Sequence, residues 1–535
     1  MSITQEPTPL ERAPSRWATE PFVMGTPAQF ARLREWLPAV GYTEPAVCSA
    51  ANIPWLGRML SLESPRRTVF KAPDDPQSLL VLLFLDGEHV PWTTVRRVLS
   101  ANELTTLTDL GLLQPSIRNA DECVGTVALF PSENLYVISD RLKAAEAIGE
   151  GSPPDVVYTP MTAETHQFIA MMPRVPCADY LEMCAGTGIA ALLAAKQFAR
   201  NAYSADITER STRFARFNAA LNDLPNFEAV QGDLYEPVAG KQFDMISAHP
   251  PYVPAESTEM VFRDGGADGE QITRRIVAGL PEYLKPGGLF FLDCMLTDRT
   301  SDATEQRLRR MLGPDEDEFD VVVFRSGITE AKQYQANQLA EGRLTPDALM
   351  RQREFFKWAG IEHLVGVQVI MQRRAQRRAV VTRHHTISEH TSAEDLLWLV
   401  RYASETVEWG PDETRRLLDL PLRAIPTTEM RVRSVLVDGT WTTVATTVGT
   451  LKPFSVEAPC PSWFPGLLSR CDGVATAREH LARLRADGVV PSSTTDDNFA
   501  QLIRELADVP LLEVSEFPLP RTARGEDLKK SMNKT

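Results

Sequence analysis

Between residues 178 and 254, four short apolar runs each end on a residue able to bind a ligand. Ala178-Asp-Tyr-Leu-Glu182 leads into Cys184-Ala-Gly-Thr-Gly188 and then into a helical pattern over Ile189–Phe198. The run 202–206 closes on Asp206, 227–231 is followed by Gly232-Asp233, and Phe243-Asp-Met-Ile-Ser-Ala248 by His249-Pro-Pro-Tyr-Val-Pro254. Further strand candidates follow at 288–293 and 319–324, with helical patterns in between. Such alternation predicts a mainly parallel sheet covered by helices on both faces. In sheets of that kind ligands sit outside the carboxyl ends of the strands, which is where these residues fall.

The rest of the chain is built around this segment. At 535 residues it is too long for one ordinary core. Residues 1–20 read as a flexible tail, and 21–150 as an N-terminal unit of helices followed by a hairpin, which resembles a winged helix. That hairpin places Thr126–Phe130 and Leu135–Ser139 around a Pro131-Ser-Glu-Asn134 turn, and Gly149-Glu-Gly-Ser-Pro-Pro marks the exit. The sheet domain is expected over 151–385, with a helix through Leu349–Trp358 and a further strand at Gly366–Gln372. Residues 386–535 read as a C-terminal α+β unit with a strand pair near 429–450 and helices near 474–486 and 498–507. Its 464–515 portion again resembles a winged module, and Lys529–Lys534 is expected to fray.

The net charge of −15 argues against a surface that embraces phosphate backbone, so nucleic acid is not expected as a partner. The one dense basic cluster, Arg373, Arg374, Arg377, Arg378 and Arg383, reads as a solvated edge. The longest apolar runs, such as Leu79–Leu85, are too short to cross a bilayer, and residues 1–20 lack a secretory pattern. Seven cysteines without a C-x-x-C pair fit neither a disulfide framework nor a zinc site, so a cytoplasmic protein with reduced thiols and no metal is expected.

The turn at 184–188 lacks the third glycine of a dinucleotide site, and Glu182 suits a ligand with an ammonium group better than one with a phosphate. Both features favour S-adenosylmethionine over NAD. Asp206 can accept both ribose hydroxyls, or can serve as a residue at the start of the following helix. Asp233 can take the adenine amino group, or can be a turn aspartate.

With these motifs, residues 155–300 resemble class I S-adenosylmethionine-dependent methyltransferases. The likeness is to the branch with an Asn-Pro-Pro-Tyr motif, which holds release-factor glutamine methyltransferases and several base N-methyltransferases. Gly232-Asp-Leu-Tyr-Glu-Pro, Pro250-Pro-Tyr-Val-Pro, Arg263-Asp-Gly-Gly-Ala-Asp-Gly269 and Lys285-Pro-Gly-Gly-Leu carry the match. The resemblance implies a Rossmann-like core with a mostly parallel seven-stranded sheet, flanked by winged-helix-like α+β domains. It implies S-adenosylmethionine held by Glu182, Cys184, Ala185, Gly186, Gly188, Asp206, Ile207, Asp233, Leu234, His249 and Thr162, with Glu164 beside Thr162. His249 and the Pro250 carbonyl would position the acceptor while Tyr252 stacks on it. Cys184 stands where the family has its first glycine, and His249 where it has asparagine. A neutral imidazole can accept one hydrogen bond or act as a base. That admits an N or O acceptor on a small molecule or peptide as the leading substrate class, with a protein amide or ribosomal RNA as the alternative. A non-catalytic cofactor-binding regulator with DNA-binding winged modules is the competing class. A homodimer is compatible with this reading.

Overall fold

The structure is a computed structural model and describes residues 21–60, 73–116, 119–141, 155–256, 260–300, 302–376, 378–461 and 463–520. The expected tail 1–20, the exit at 149–154, Arg377 and the terminal run 529–534 lie outside the described residues.

The central sheet contains β1 (Cys177–Met183), β2 (Ala199–Asp206), β3 (Phe227–Gln231), β4 (Phe243–Ala248), β5 (Leu284–Arg299), β6 (Phe319–Glu330), β7 (Ile361–Arg373) and β8 (Thr382–Thr386). Their spatial order is β3-β2-β1-β4-β5-β7-β6-β8. Strands β3 through β5 run parallel, β7 is antiparallel to both β5 and β6, and β8 is parallel to β6. The sheet therefore has eight strands, one more than expected. The additional edge strand, Thr-Arg-His-His-Thr, has no apolar alternation, so nothing in its composition marks it as a strand. Strand order reverses between β1 and β4, and at that switch point the strand ends part to leave a crevice.

Helices α1 (Ala163–Met171), α2 (Ile189–Gln197), α3 (Glu209–Leu221), α4 (Gln271–Tyr283), α5 (Ala331–Ala340), α6 (Pro346–Ala359) and α7 (Ala393–Glu408) cover the sheet and its insertions. Local signals place several of their ends. Thr162 and Thr208 cap α1 and α3 by accepting from the amides of Thr165 and Ser211. Thr345 caps α6, Pro346 opens it, and Gly360 at φ +66° ends it. Helix α5 has no comparable apolar periodicity and was not anticipated from the sequence.

The N-terminal part orders helices 76–85, 92–98 and 101–109 around a small sheet with strand order 90–91, 122–125, 113–115. A separate hairpin, Ala128–Ser132 with Leu135–Ser139, turns on Glu133-Asn134, both at positive φ. It sits on α3 through two asparagines. Asn218 bonds the N–H and C=O of Ile138, and Asn222 those of Tyr136, so the side-chain amides stand in for a neighbouring strand. Phe22 packs against Phe214 and Phe217 of the same helix. In the C-terminal part a small sheet has the order 472–476, 421–424, 512–514, beside a three-stranded sheet of 429–437, 440–450 and 456–459. One apolar cluster continues from Phe22 through Phe291 and Ile370 to Leu519, joining both flanking parts to one face of the central sheet.

Among the described residues, no helix is long and apolar enough to cross a membrane. The basic cluster is internally paired. Arg373 holds Glu318, Arg378 holds Asp320 and Glu408, Arg383 pairs with Asp508, and Arg374 bonds backbone carbonyls of the following loop. All seven cysteines are free thiols.

Candidate active site

A cavity of about 810 Å³ opens at the carboxyl ends of β1 to β4. Every site residue expected from the sequence lines it except Gly188. Gly188 instead opens α2 at φ +77°, with Ala215, Ser204 and Phe227 all within 3.2 Å of where a Cβ would stand. Its role is close helix–strand packing. Gly186 is the glycine of the turn that faces open space, with nothing within 4 Å of such a Cβ. Cys184 sits at φ +54°, a left-handed conformation that favours glycine, the residue the family resemblance leads one to expect there. Burial and the nearby Asp206 and Asp233 raise its thiol well above the usual range, which leaves it protonated and unreactive.

The three carboxylates have different surroundings. Glu182 is 2% exposed and accepts from the Ala191 amide at 2.7 Å, so it caps the first turn of α2 as well as facing the cavity. Burial pushes its carboxyl up to about 8. Asp206 accepts from the Gly186 amide at 2.9 Å through one oxygen and from the Thr208 amide and hydroxyl through the other. It therefore ties the glycine turn to the start of α3 and keeps lone pairs for a ligand. Asp233 forms an ion pair with Arg275 of α4 at 2.7 Å, a partner not foreseen from the sequence. Ile207 and Leu234 line the cavity next to these two aspartates.

Opposite them, the loop after β4 carries His249, Pro250 and Tyr252 into the cavity wall. Its shape depends on the glycines of 263–269. A Cβ on Gly269 would lie 2.3 Å from the Tyr252 carbonyl oxygen, and one on Gly265 would meet the Pro251 carbonyl at 2.8 Å. Asp268 and Glu270 then anchor that segment to β5 through Arg299 and Thr297. His249 stacks on Phe168 of α1 at 5.4 Å and 23°, and Phe168 in turn stacks on Phe291. Tyr252 meets the imidazole edge-on. The ring Nδ1 lies 2.8 Å from the Asp293 carbonyl oxygen. A carbonyl can only accept, so Nδ1 carries the hydrogen and Nε2 has the free lone pair. Burial lowers the pKa of the ring, which keeps it neutral.

Thr162 lies at the cavity edge as the α1 cap, and Glu164 lines the wall beside it. Tyr158, stacked on Phe262, and Arg263, Arg275 and Arg343 also line the cavity. Sequence reasoning passed over Phe168, Asp293, Tyr158 and Arg343, which come from α1, β5 and loops with no local motif.

The donor set fits a cofactor with a cationic amino-acid end and a nucleoside end. Glu182 is a deeply buried carboxylate whose hydrogen-bond donors are backbone amides, and the turn beside it is open where a side chain would intrude. Comparison with known proteins points the same way. The family profile described as methyltransferase small domain matches residues 163–313. A provisionally named protein N5-glutamine methyltransferase of Methanocaldococcus jannaschii is 38% identical over 21% of this chain and 58% of its own length. The release factor glutamine methyltransferase of Thermodesulfovibrio yellowstonii is 30% identical over 21% of this chain and 45% of its length. The ribosomal protein uL3 glutamine methyltransferase of Bordetella pertussis is 30% identical over 43% of this chain and 80% of its length. The chain thus spans about half the length of the first two and most of the third.

Proposed function

Because the chain belongs to the class I S-adenosylmethionine-dependent methyltransferases, we propose that it methylates the side-chain amide nitrogen of a glutamine in a protein substrate. The observation that carries this reading is the 2.8 Å approach of His249 Nδ1 to the Asp293 carbonyl oxygen, which fixes the ring's tautomer. With Nδ1–H donating to the Asp293 carbonyl, Nε2 is a pure acceptor, as is the Pro250 carbonyl of the same loop. Two acceptors suit the two N–H groups of a primary amide, so the imidazole takes over the accepting half of the family's asparagine. The small-molecule or peptide acceptor favoured from the sequence gives way here to the alternative, a protein glutamine amide, in keeping with what the three relatives are named for.

When bound, S-adenosylmethionine supplies an electrophilic methyl group on a sulfonium. Glu182, with Gly186 and Ala185, would hold its amino-acid end; Asp206 with Ile207 the ribose; and Asp233 with Leu234 the base. Tyr252, its phenol kept protonated by burial, offers a flat apolar face to the amide. Phe168 and Tyr252 keep the His249 ring from turning, so proximity and orientation supply most of the acceleration.

The described portions of 21–150 and 386–535 are proposed as accessory modules of winged-helix kind that present the acceptor protein, a reading supported by their helices beside small sheets. Helix 101–109 carries Glu103 and Asp109 and no basic residue, a composition unsuited to a phosphate backbone. The test is to incubate the full chain with methyl-labelled S-adenosylmethionine, ribosomal RNA and either a bacterial release factor or ribosomal protein uL3, then locate the label by mass spectrometry. A methyl on a glutamine amide is expected. Label on RNA, or on neither protein, overturns the reading.

A further inference from the structure

We propose that Asp293 is the positioning residue of the transfer site: its main-chain carbonyl sets the His249 tautomer, and its carboxyl supports the imidazolium formed when Nε2 takes the acceptor's proton. This rests on the amide-methylation reading above and adds to it the destination of the proton.

The arrangement is built from two neighbouring strands and the loop after β4. Asp293 on β5 stands directly opposite Gln368 on β7, so the two side chains share a face of the sheet. Gln368 Nε2 donates to Asp293 Oδ2 at 3.0 Å, while Asp293 Oδ1 lies 4.0 Å from His249 Nδ1. Both residues are buried, Gln368 at 1% and Asp293 at 7% exposure. A buried carboxyl aimed at a neutral imidazole has little to stabilise in the resting state, and burial pushes Asp293 up to about 7. Beyond the Gln368 amide, the carboxyl gains an ionic partner only when the ring becomes charged.

Transfer creates that charge. The amide nitrogen forms a bond to the methyl carbon as the carbon–sulfur bond breaks, and that bond's electron pair stays on sulfur. The nitrogen then sheds one proton to His249 Nε2, giving an imidazolium whose Nδ1–H still points to the Asp293 carbonyl. Asparagine in the same place could accept a hydrogen bond but could not hold the proton. The other titratable groups facing the ring are Glu164 from α1 and Tyr252 from its own loop, with Tyr158 and Cys294 acting on Tyr252. Glu164 is exposed, so water screens it, whereas Asp293 is enclosed.

The deciding measurement is nitrogen NMR of ring-labelled histidines in the full, ligand-free chain, with His249 identified by the signal lost in His249→Asn. The expected result is the Nδ1–H tautomer in wild type, with a ring titration that follows the coupled protonation of Asp293 through a step near pH 7, and loss of that step in Asp293→Asn. Gln368→Met, which frees the carboxyl without removing it, should keep the tautomer and alter the ring pKa as well. An Nε2–H tautomer in wild type, or a ring pKa untouched by both substitutions, overturns the proposal. These readings need no turnover, so they stand apart from the success or failure of the glutamine assay.

Discussion

Glu182 shows how one buried carboxyl makes ligand binding depend on pH. Its pKa in the folded protein is pushed from 4.5 up to about 8 by burial. The folded state therefore holds this proton more tightly than the unfolded chain. The group's contribution to stability is fully present below about pH 4.5 and is lost as pH rises toward 8. An ammonium placed beside Glu182 favours the carboxylate and expels the proton. S-adenosylmethionine binding at pH 6.5 should then release up to one proton and tighten as pH rises toward 8. Calorimetry in two buffers of different ionisation heat measures this directly; equal apparent heats in both would rule out Glu182 as the ammonium's partner.

Among elements, the loop after β4 and helix α3 carry the sharpest expectations. Gly269 has φ +78° and no room for a methyl group against the Tyr252 carbonyl. Gly269→Ala should displace the His249–Tyr252 segment and lower methyl transfer at least tenfold while leaving S-adenosylmethionine affinity within about threefold, since β1 to β3 are untouched. Loss of both activities together would mean that the loop also forms the cofactor site. On α3, Asn218 is fully buried and serves the Ile138 N–H and C=O and the Thr187 carbonyl. Removing it strands buried backbone groups, each costing about 1–3 kcal/mol. Asn218→Ala is expected to destabilise the protein by roughly 3 kcal/mol; a chemical-denaturation shift under about 0.5 kcal/mol, the size of a neutral surface change, would contradict this account of how the hairpin is held.

The whole molecule is joined by the apolar cluster running from Phe22 to Leu519. Helix α7 of the C-terminal part bonds β6 through Ser404 and Asp320, and the N-terminal hairpin bonds α3. With so much shared core, the flanking parts should not melt separately. A calorimetric scan is expected to give one transition that moves up as a whole with S-adenosylmethionine. Two resolved transitions, only one of them responsive to ligand, would show that the flanking parts are independent. The hairpin 429–450 is largely solvent-facing, with Leu436 59% and Trp441 71% exposed.

The sequence alone determined where along the chain the site-bearing strands lie and which residues stand at their ends. Parallel strands buried on both faces must be apolar runs, and a turn that admits a ligand must be small, so both constraints are written locally. Strands β3 and β4 fall where their apolar runs predict, and β1 and β2 begin only a few residues earlier. Strand β8 escaped because an edge strand needs no apolar alternation, and α5 because its alanines, Tyr334 and Leu339 form no single apolar stripe. Tertiary structure decided what each site residue does. Asp233 meets Arg275 across 42 positions of chain, and His249 meets the Asp293 carbonyl across 44. Folding also turned Glu182 toward the α2 amides and gave Asp206 the glycine turn to hold. A side chain's protonation and tautomer depend on burial and on partners brought from other strands, and neither quantity is encoded in its neighbours along the chain.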